Sequence, residues 1–188
     1  MVYPGLHTRQ STCPAAMILT TPNPQRTDGV LSGSAYLHAL ADLITSSRRS
    51  VRSMMYALAL PVHKQGRHLA PIWDAMLAAP ERGVQCSMLL NSTAAYHWLP
   101  APNRDAATIL TANGWTINRL RGGNSPSRAH AKIWIIDDRY LLIGSHNLSS
   151  GDPDSRLDVS AVLSNPALLA QALRLWRQSL LHADRWHA

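Results

Sequence analysis

Two residues two positions apart, His130 and Lys132, are the best suited in this chain to act on an anionic phosphate. On a strand, alternate side chains share a face, so His130 and Lys132 point the same way and Asp137 points the other. A neutral imidazole nitrogen can attack phosphorus while the neighbouring ammonium neutralises charge on the phosphoryl oxygens. Further along stands Gly144-Ser145-His146-Asn147. If the backbone there is extended, the Ser145 hydroxyl and the Asn147 amide share a face and can donate to those same oxygens. Asp137, turned away, reads as a structural anchor.

Composition sharpens the reading of Lys132. The 188 residues carry 18 Lys plus Arg against 11 Asp plus Glu, for a net charge of +7. Only Lys64 and Lys132 are lysine, and Glu81 is the sole glutamate. Where arginine is the default cation, a lysine beside the histidine supplies a compact point charge rather than a planar fork. The basic surplus favours a polyanionic partner, nucleic acid before membrane surface. With 46% hydrophobic and 15% charged residues, the chain is globular rather than disordered. Cys13 and Cys86 are too few for a disulfide framework or a cysteine-rich zinc site. His63, His68 and His97 lack metal-ligand spacing. The longest apolar run, 54–62, is half of a membrane span and contains Pro61. The N-terminus lacks a basic start leading into an apolar stretch, so a soluble, cytoplasmic protein is expected.

The elements that must hold these residues follow from periodicity. Residues 1–29 lack it and read as an N-terminal extension or pairing arm; a catalytic domain is expected over 30–188. Tyr36, Leu37, Leu40, Leu43 and Ile44 recur at helical spacing. Residues 51–60 read as a buried strand, Pro71 opens a second helix, and 84–91 is a second strand. A helix over 103–113 ends at Gly114, and a strand follows over 115–120. After a glycine loop come apolar strands at 131–136, 140–144 and 157–163. Asn165 and Pro166 then cap and open a final amphipathic helix. This order predicts an α/β fold with a mixed, largely parallel sheet and helices on both faces.

The spaced set His130, Lys132, Asp137, Gly144, Ser145 and Asn147 matches the H-x-K-x4-D-x6-G-S-x-N signature at every specified position. The segment resembles the phospholipase D superfamily, most closely its small single-motif bacterial endonucleases. The resemblance implies a phospholipase D-like α/β/α sandwich. Asp158 stands where the family places an acidic residue that orients the histidine. It is shorter by one methylene than the glutamate often found there, and an ordinary loop salt bridge is the alternative. Family sites contain two such motifs. With one motif and no internal repeat, this chain is expected to pair about a two-fold axis. Each chain then contributes His130, Lys132, Ser145 and Asn147. One His130 would form a phosphohistidine and its partner would act as acid and base, without metal or cofactor.

The superfamily acts on nucleic acids and on phospholipids, and the motif does not choose. Arg119, Arg121 and Arg128 flank the loop before His130, and Lys64 and Arg67 follow the first strand. All five are candidates to track a phosphate backbone, or are ordinary solvated cations. Trp98 and Trp115 can stack on bases or pack in the core. No apolar acyl groove or membrane anchor is evident, so an endonuclease on DNA or RNA is the first reading. A phospholipase D or phosphatidyltransferase is the alternative, and a non-catalytic nucleic-acid-binding module the third.

Overall fold

Strand and helical periods alternate along the chain and then give way to successive strands. The computed structural model, which describes residues 28–61, 64–92, 100–120, 129–149 and 151–186, follows that change. β1 (Gly29–Ser32), α1 (Gly33–Ser46) and β2 (Ser50–Met55) come first. A 3-10 segment (Lys64–Leu69), α2 (Ala70–Glu81), β3 (Gln85–Leu90), α3 (Pro100–Ala112) and β4 (Thr116–Leu120) follow. β5 (Lys132–Ile136), β6 (Tyr140–Gly144), β7 (Val159–Leu163), α4 (Pro166–Leu181) and β8 (Ala183–Arg185) complete the order. The proposed extension, up to residue 27, lies outside the described residues. Gly29 already belongs to the sheet.

The eight strands form one sheet in the order β1-β7-β6-β5-β2-β3-β4-β8. The mixed α/β class is as expected, but the sheet is not largely parallel. Among the described residues, only β2–β3 and β3–β4 are parallel; the other five pairings are antiparallel. Helices carry the chain back between β2, β3 and β4, as parallel neighbours require. β5 and β6 are joined by a three-residue turn, which can only return antiparallel, and β7 returns antiparallel after a longer connection that holds a 3-10 turn (Pro153–Ser155). The β5–β6 turn has positive φ at Asp137 (55°) and Asp138 (54°), the geometry of a tight hairpin turn.

Side chains alternate across the sheet into two cores. Val51, Met55, Met88, Trp134 and Leu142 face α1, α2 and α3. Met54, Leu89, Ile133, Ile135 and Leu141 face Leu169, Ala172 and Trp176 of α4. Trp115 is core, its indole N–H donating to the Met76 carbonyl at 2.8 Å, so it is no stacking platform. Cys86 is buried, and burial pushes its thiol up to about 12 against the opposing pull of Arg82. α4 leaves part of its face uncovered: Val30, Ile143 and Val159 are exposed at β1, β6 and β7. Among the described residues no helix is long and apolar enough to cross a membrane.

Two elements begin or end where distant side chains dictate. Ser32 makes no side-chain cap for α1; instead the Asp154 carboxylate accepts the Ser34 N–H at 2.9 Å. Gly33, at φ 53°, leaves room for that carboxylate, which a Cβ would strike. β2 ends at Met55 rather than running to residue 60. There the buried Asn103 amide donates to the Tyr56 carbonyl at 2.9 Å and accepts the Leu58 N–H at 2.9 Å. These bonds replace ladder partners and turn the chain out of the sheet.

Candidate active site

The register brings the polar set to one edge of the sheet. Met55 pairs with Lys132, Ile133 with Ile143, and Gly144 with Ser160. The carboxyl ends of β2, β3, β4 and β6 therefore meet the amino ends of β5 and β7. In a sheet with parallel strands this is the edge where side chains can converge on a ligand.

His130 is exposed and Lys132 is buried, at 8%. The Lys132 Nζ donates to the His130 carbonyl at 2.9 Å and lies 3.3 Å from ring Nδ1 and 3.4 Å from Nε2. Tyr56 supports both: its ring is 4.5 Å from the imidazole, centroid to centroid, and 4.9 Å from Nζ. Burial lowers the Lys132 pKa, and the negative charge of Asp158 works against that shift. The ammonium therefore gains from any further negative charge at this edge, such as a phosphate.

Ser145 and Asp158 face one another across the β6–β7 connection. The Ser145 hydroxyl donates to Asp158 Oδ1 at 2.7 Å and accepts the Val159 N–H at 2.9 Å. A serine has a single proton to give, so this one is directed to the carboxylate. Within the chain Asp158 holds Ser145, while Tyr56 and Lys132 hold His130. Position explains the contact, since Asp158 immediately precedes Val159, the first residue of β7, which pairs with Ser145 through the backbone.

Gly144 makes that closeness possible. A Cβ there would overlap Ser160 Oγ and the Val159 carbonyl. Behind the site, His146 is buried, stacked on Tyr36 at 4.1 Å, with Nδ1 2.8 Å from Ser160 Oγ. Burial lowers its pKa, opposed by Asp158. Asn147 Oδ1 and His146 Nε2 are buried without a hydrogen-bond partner among the described residues. Both line a small polar cleft with Asp158, Arg156 and His68.

Asp137 lies at the opposite end of β5. Its carboxylate accepts the backbone N–H groups of Arg48 (2.9 Å), Arg49 (2.7 Å) and Ser50 (2.9 Å). Burial pushes its pKa up, but these bonds and the Arg49 charge outweigh that and leave it below the usual value. Arg52 forms an ion pair with the adjacent Asp138.

Two of the five expected substrate cations, Arg119 and Arg67, have described side chains. Arg119 lies beyond β2 and β3 on β4, its guanidinium 5.6 Å from the Trp186 ring centroid. Arg67 is exposed on the 3-10 segment. Arg121, Arg128, Trp98 and the Lys64 side chain lie outside the described residues. Sequence reading missed Tyr56, Asn91 and Asn103. Asn91 Oδ1 accepts the Ala129 N–H at 3.2 Å, and its own carbonyl accepts from Asn103 at 2.7 Å. Together they fix the approach to His130. A buried asparagine among apolar residues was the available signal.

An apolar groove is present, contrary to expectation. It measures about 350 Å³ and is lined by His130, Met54, Leu89, Leu120 and Leu175, with Gln178 and Ser179 from α4.

The comparisons agree with this fold. Residues 40–179 match the family model described as "Cardiolipin synthase, PLD-like domain". The fold is similar to that of a phospholipase D family member, Nuc from Salmonella typhimurium. That likeness has a TM-score of 0.66 at 20% identity, covering 86% of this chain and 99% of that one. NucT from Helicobacter pylori is similar at TM-score 0.63 and 17% identity, with 85% and 98% covered. Phosphatidylserine synthase from Haemophilus influenzae is similar at TM-score 0.61 and 14% identity, covering 85% of this chain but 39% of that one. No curated protein matches.

Proposed function

The chain belongs to the phospholipase D-like family, whose members act on phosphodiester bonds, and on that premise we propose that it is an endonuclease of DNA or RNA. The observation that carries the proposal is His130, exposed at the sheet edge with the Lys132 ammonium 3.3 Å from its ring. A nitrogen lone pair of His130 attacks phosphorus, and the P–O bond to the leaving nucleoside breaks with its electrons on oxygen. Lys132 and the Asn147 amide take the charge that grows on the phosphoryl oxygens. Ser145 joins them when substrate draws its proton from Asp158. The His130 of a second chain protonates the leaving oxygen. It then removes a proton from the water that hydrolyses the phosphohistidine. Two displacements at one phosphorus retain configuration, and the positive field comes from side chains rather than a metal.

The second copy is proposed on two grounds. One chain supplies a single His130, and a two-step displacement needs a separate acid and base. Beside Ser145 and Asp158 the surface is apolar: Leu157 is 93% exposed, with Val159 and Ile143 nearby. A patch of that kind at the mouth of a site is suited to cover by protein. In this reading the catalytic domain takes in Gly29, which pairs in the sheet, and runs to residue 188, the residues before it form an extension, and the protein works in the cytoplasm.

The net charge of +7 and the likeness to Nuc and NucT support a nucleic-acid substrate. A phospholipid substrate is the second reading, favoured by the apolar groove and by the likeness to phosphatidylserine synthase. Incubation with plasmid, single-stranded DNA, RNA and phosphatidylcholine, with and without EDTA, separates the two. Nicking that survives EDTA is expected. Choline release with intact nucleic acid would replace the proposal with the lipid reading.

A further inference from the structure

We infer that the groove beside His130 is a nucleobase subsite, which receives the base attached to the phosphate under attack. The inference rests on the nuclease reading and deepens it. Among the described residues the groove's polar lining is His130, His182, Gln178 and Ser179, with no Lys, Arg, Asp or Glu, a lining that suits an uncharged occupant. The phosphate itself belongs at the other side of His130, where Lys132 lies. A diester bound at His130 must therefore send one neutral arm along the α4 side.

Two features favour a base as that arm. The floor is Met54, Leu89 and Leu120 and the outer wall is Leu175, which suits the flat faces of an aromatic ring. On the rim, Gln178 carries an amide that both donates and accepts, matching the hydrogen-bonding edge of a base. An acyl chain has no such edge.

The test compares thymidine 5′-p-nitrophenyl phosphate with methyl p-nitrophenyl phosphate on the full-length protein. Two variants on the exposed side of α4 are used, Leu175→Trp to fill the groove and Gln178→Ala to remove the rim amide; thermal melting checks that both fold. Apolar contact with a base is worth enough that Leu175→Trp should raise KM for the thymidine ester about tenfold or more. Turnover number should stay within about twofold, the signature of lost binding rather than lost chemistry. Gln178→Ala should alter the ranking among the four nucleoside esters. Equal KM changes for both esters, or none for either, would overturn the subsite while leaving the nuclease intact. Inability of the unaltered protein to cleave any nucleotide ester or nucleic acid would instead overturn the nuclease reading. Phosphatidylcholine cleavage blocked by Leu175→Trp would make the groove an acyl site and overturn the base assignment.

Discussion

The Ser145 hydroxyl donates its one proton to Asp158 at 2.7 Å, and the Val159 amide fixes the same oxygen from the other side at 2.9 Å. The serine is thus aimed before substrate arrives, and Asp158 sits close enough to influence the charge on Lys132. One carboxylate steadies both a hydroxyl donor and an ammonium at the place where negative charge develops.

Ser145→Ala should therefore lower kcat by about 10²-fold, the scale of losing one donor to a developing oxyanion, with KM changed far less. Steady-state kinetics on a chromogenic diester measures this. A large KM effect with kcat preserved would make Ser145 a binding residue only.

Alkaline pH should remove activity earlier than an ordinary lysine allows. Burial sets the Lys132 pKa below 10.5, and the charged form is the one that neutralises phosphate. The high-pH limb of kcat/KM should then fall below that value, and Asp158→Asn should move it lower still. Stability has the opposite sign. The unfolded chain holds more protons between the lowered and the ordinary pKa, so this group makes the protein more stable as pH rises through that window. Lys132→Arg should abolish the limb while reducing activity, since a planar fork replaces a point charge.

Asp137 should matter to folding and hardly at all to chemistry. Asp137→Ala removes the acceptor of three backbone N–H groups, and charged hydrogen bonds of this kind suggest a loss of about 2–4 kcal/mol in urea unfolding at neutral pH. The folded carboxylate has a lowered pKa. Its contribution is thus present above the unfolded value and lost as pH falls through the folded one. A variant as stable as the parent at pH 7 would contradict the anchoring role.

Pairing of two chains predicts that the unaltered protein sediments as a dimer. Leu157→Asp, at a position 93% exposed, should yield a folded monomer without activity. Full activity from a strictly monomeric species would exclude the shared site.

The closeness of His130 and Lys132 was legible because strand alternation is local: residues two apart share a face whatever the rest of the chain does. Beyond β6 the chain leaves the strand, and Asn147 lines a cleft with its neighbour His146, so strand alternation does not carry over to Ser145 and Asn147. What supports them was not legible, because it arrives from far along the chain. Tyr56 comes from the end of β2, Asn103 from α3 and Asp154 from the connection before β7. Their contacts depend on strand order, and periodicity is silent about order. The same blindness hid the antiparallel half of the sheet. An apolar strand looks alike in either direction, and the short β5–β6 turn is what forces the chain to return antiparallel there. The groove beside His130 was hidden too, since Met54, Leu120 and Leu175 meet only when α4 folds back across the sheet.

The covalent intermediate tests the central claim most directly. Protein mixed with an oligonucleotide labelled at its phosphates is quenched in alkali, digested and mapped. The account predicts label on the peptide containing His130, stable to alkali, released by acid and absent from His130→Ala. Multiple turnovers without label on His130, or undiminished cleavage by His130→Ala, would contradict it.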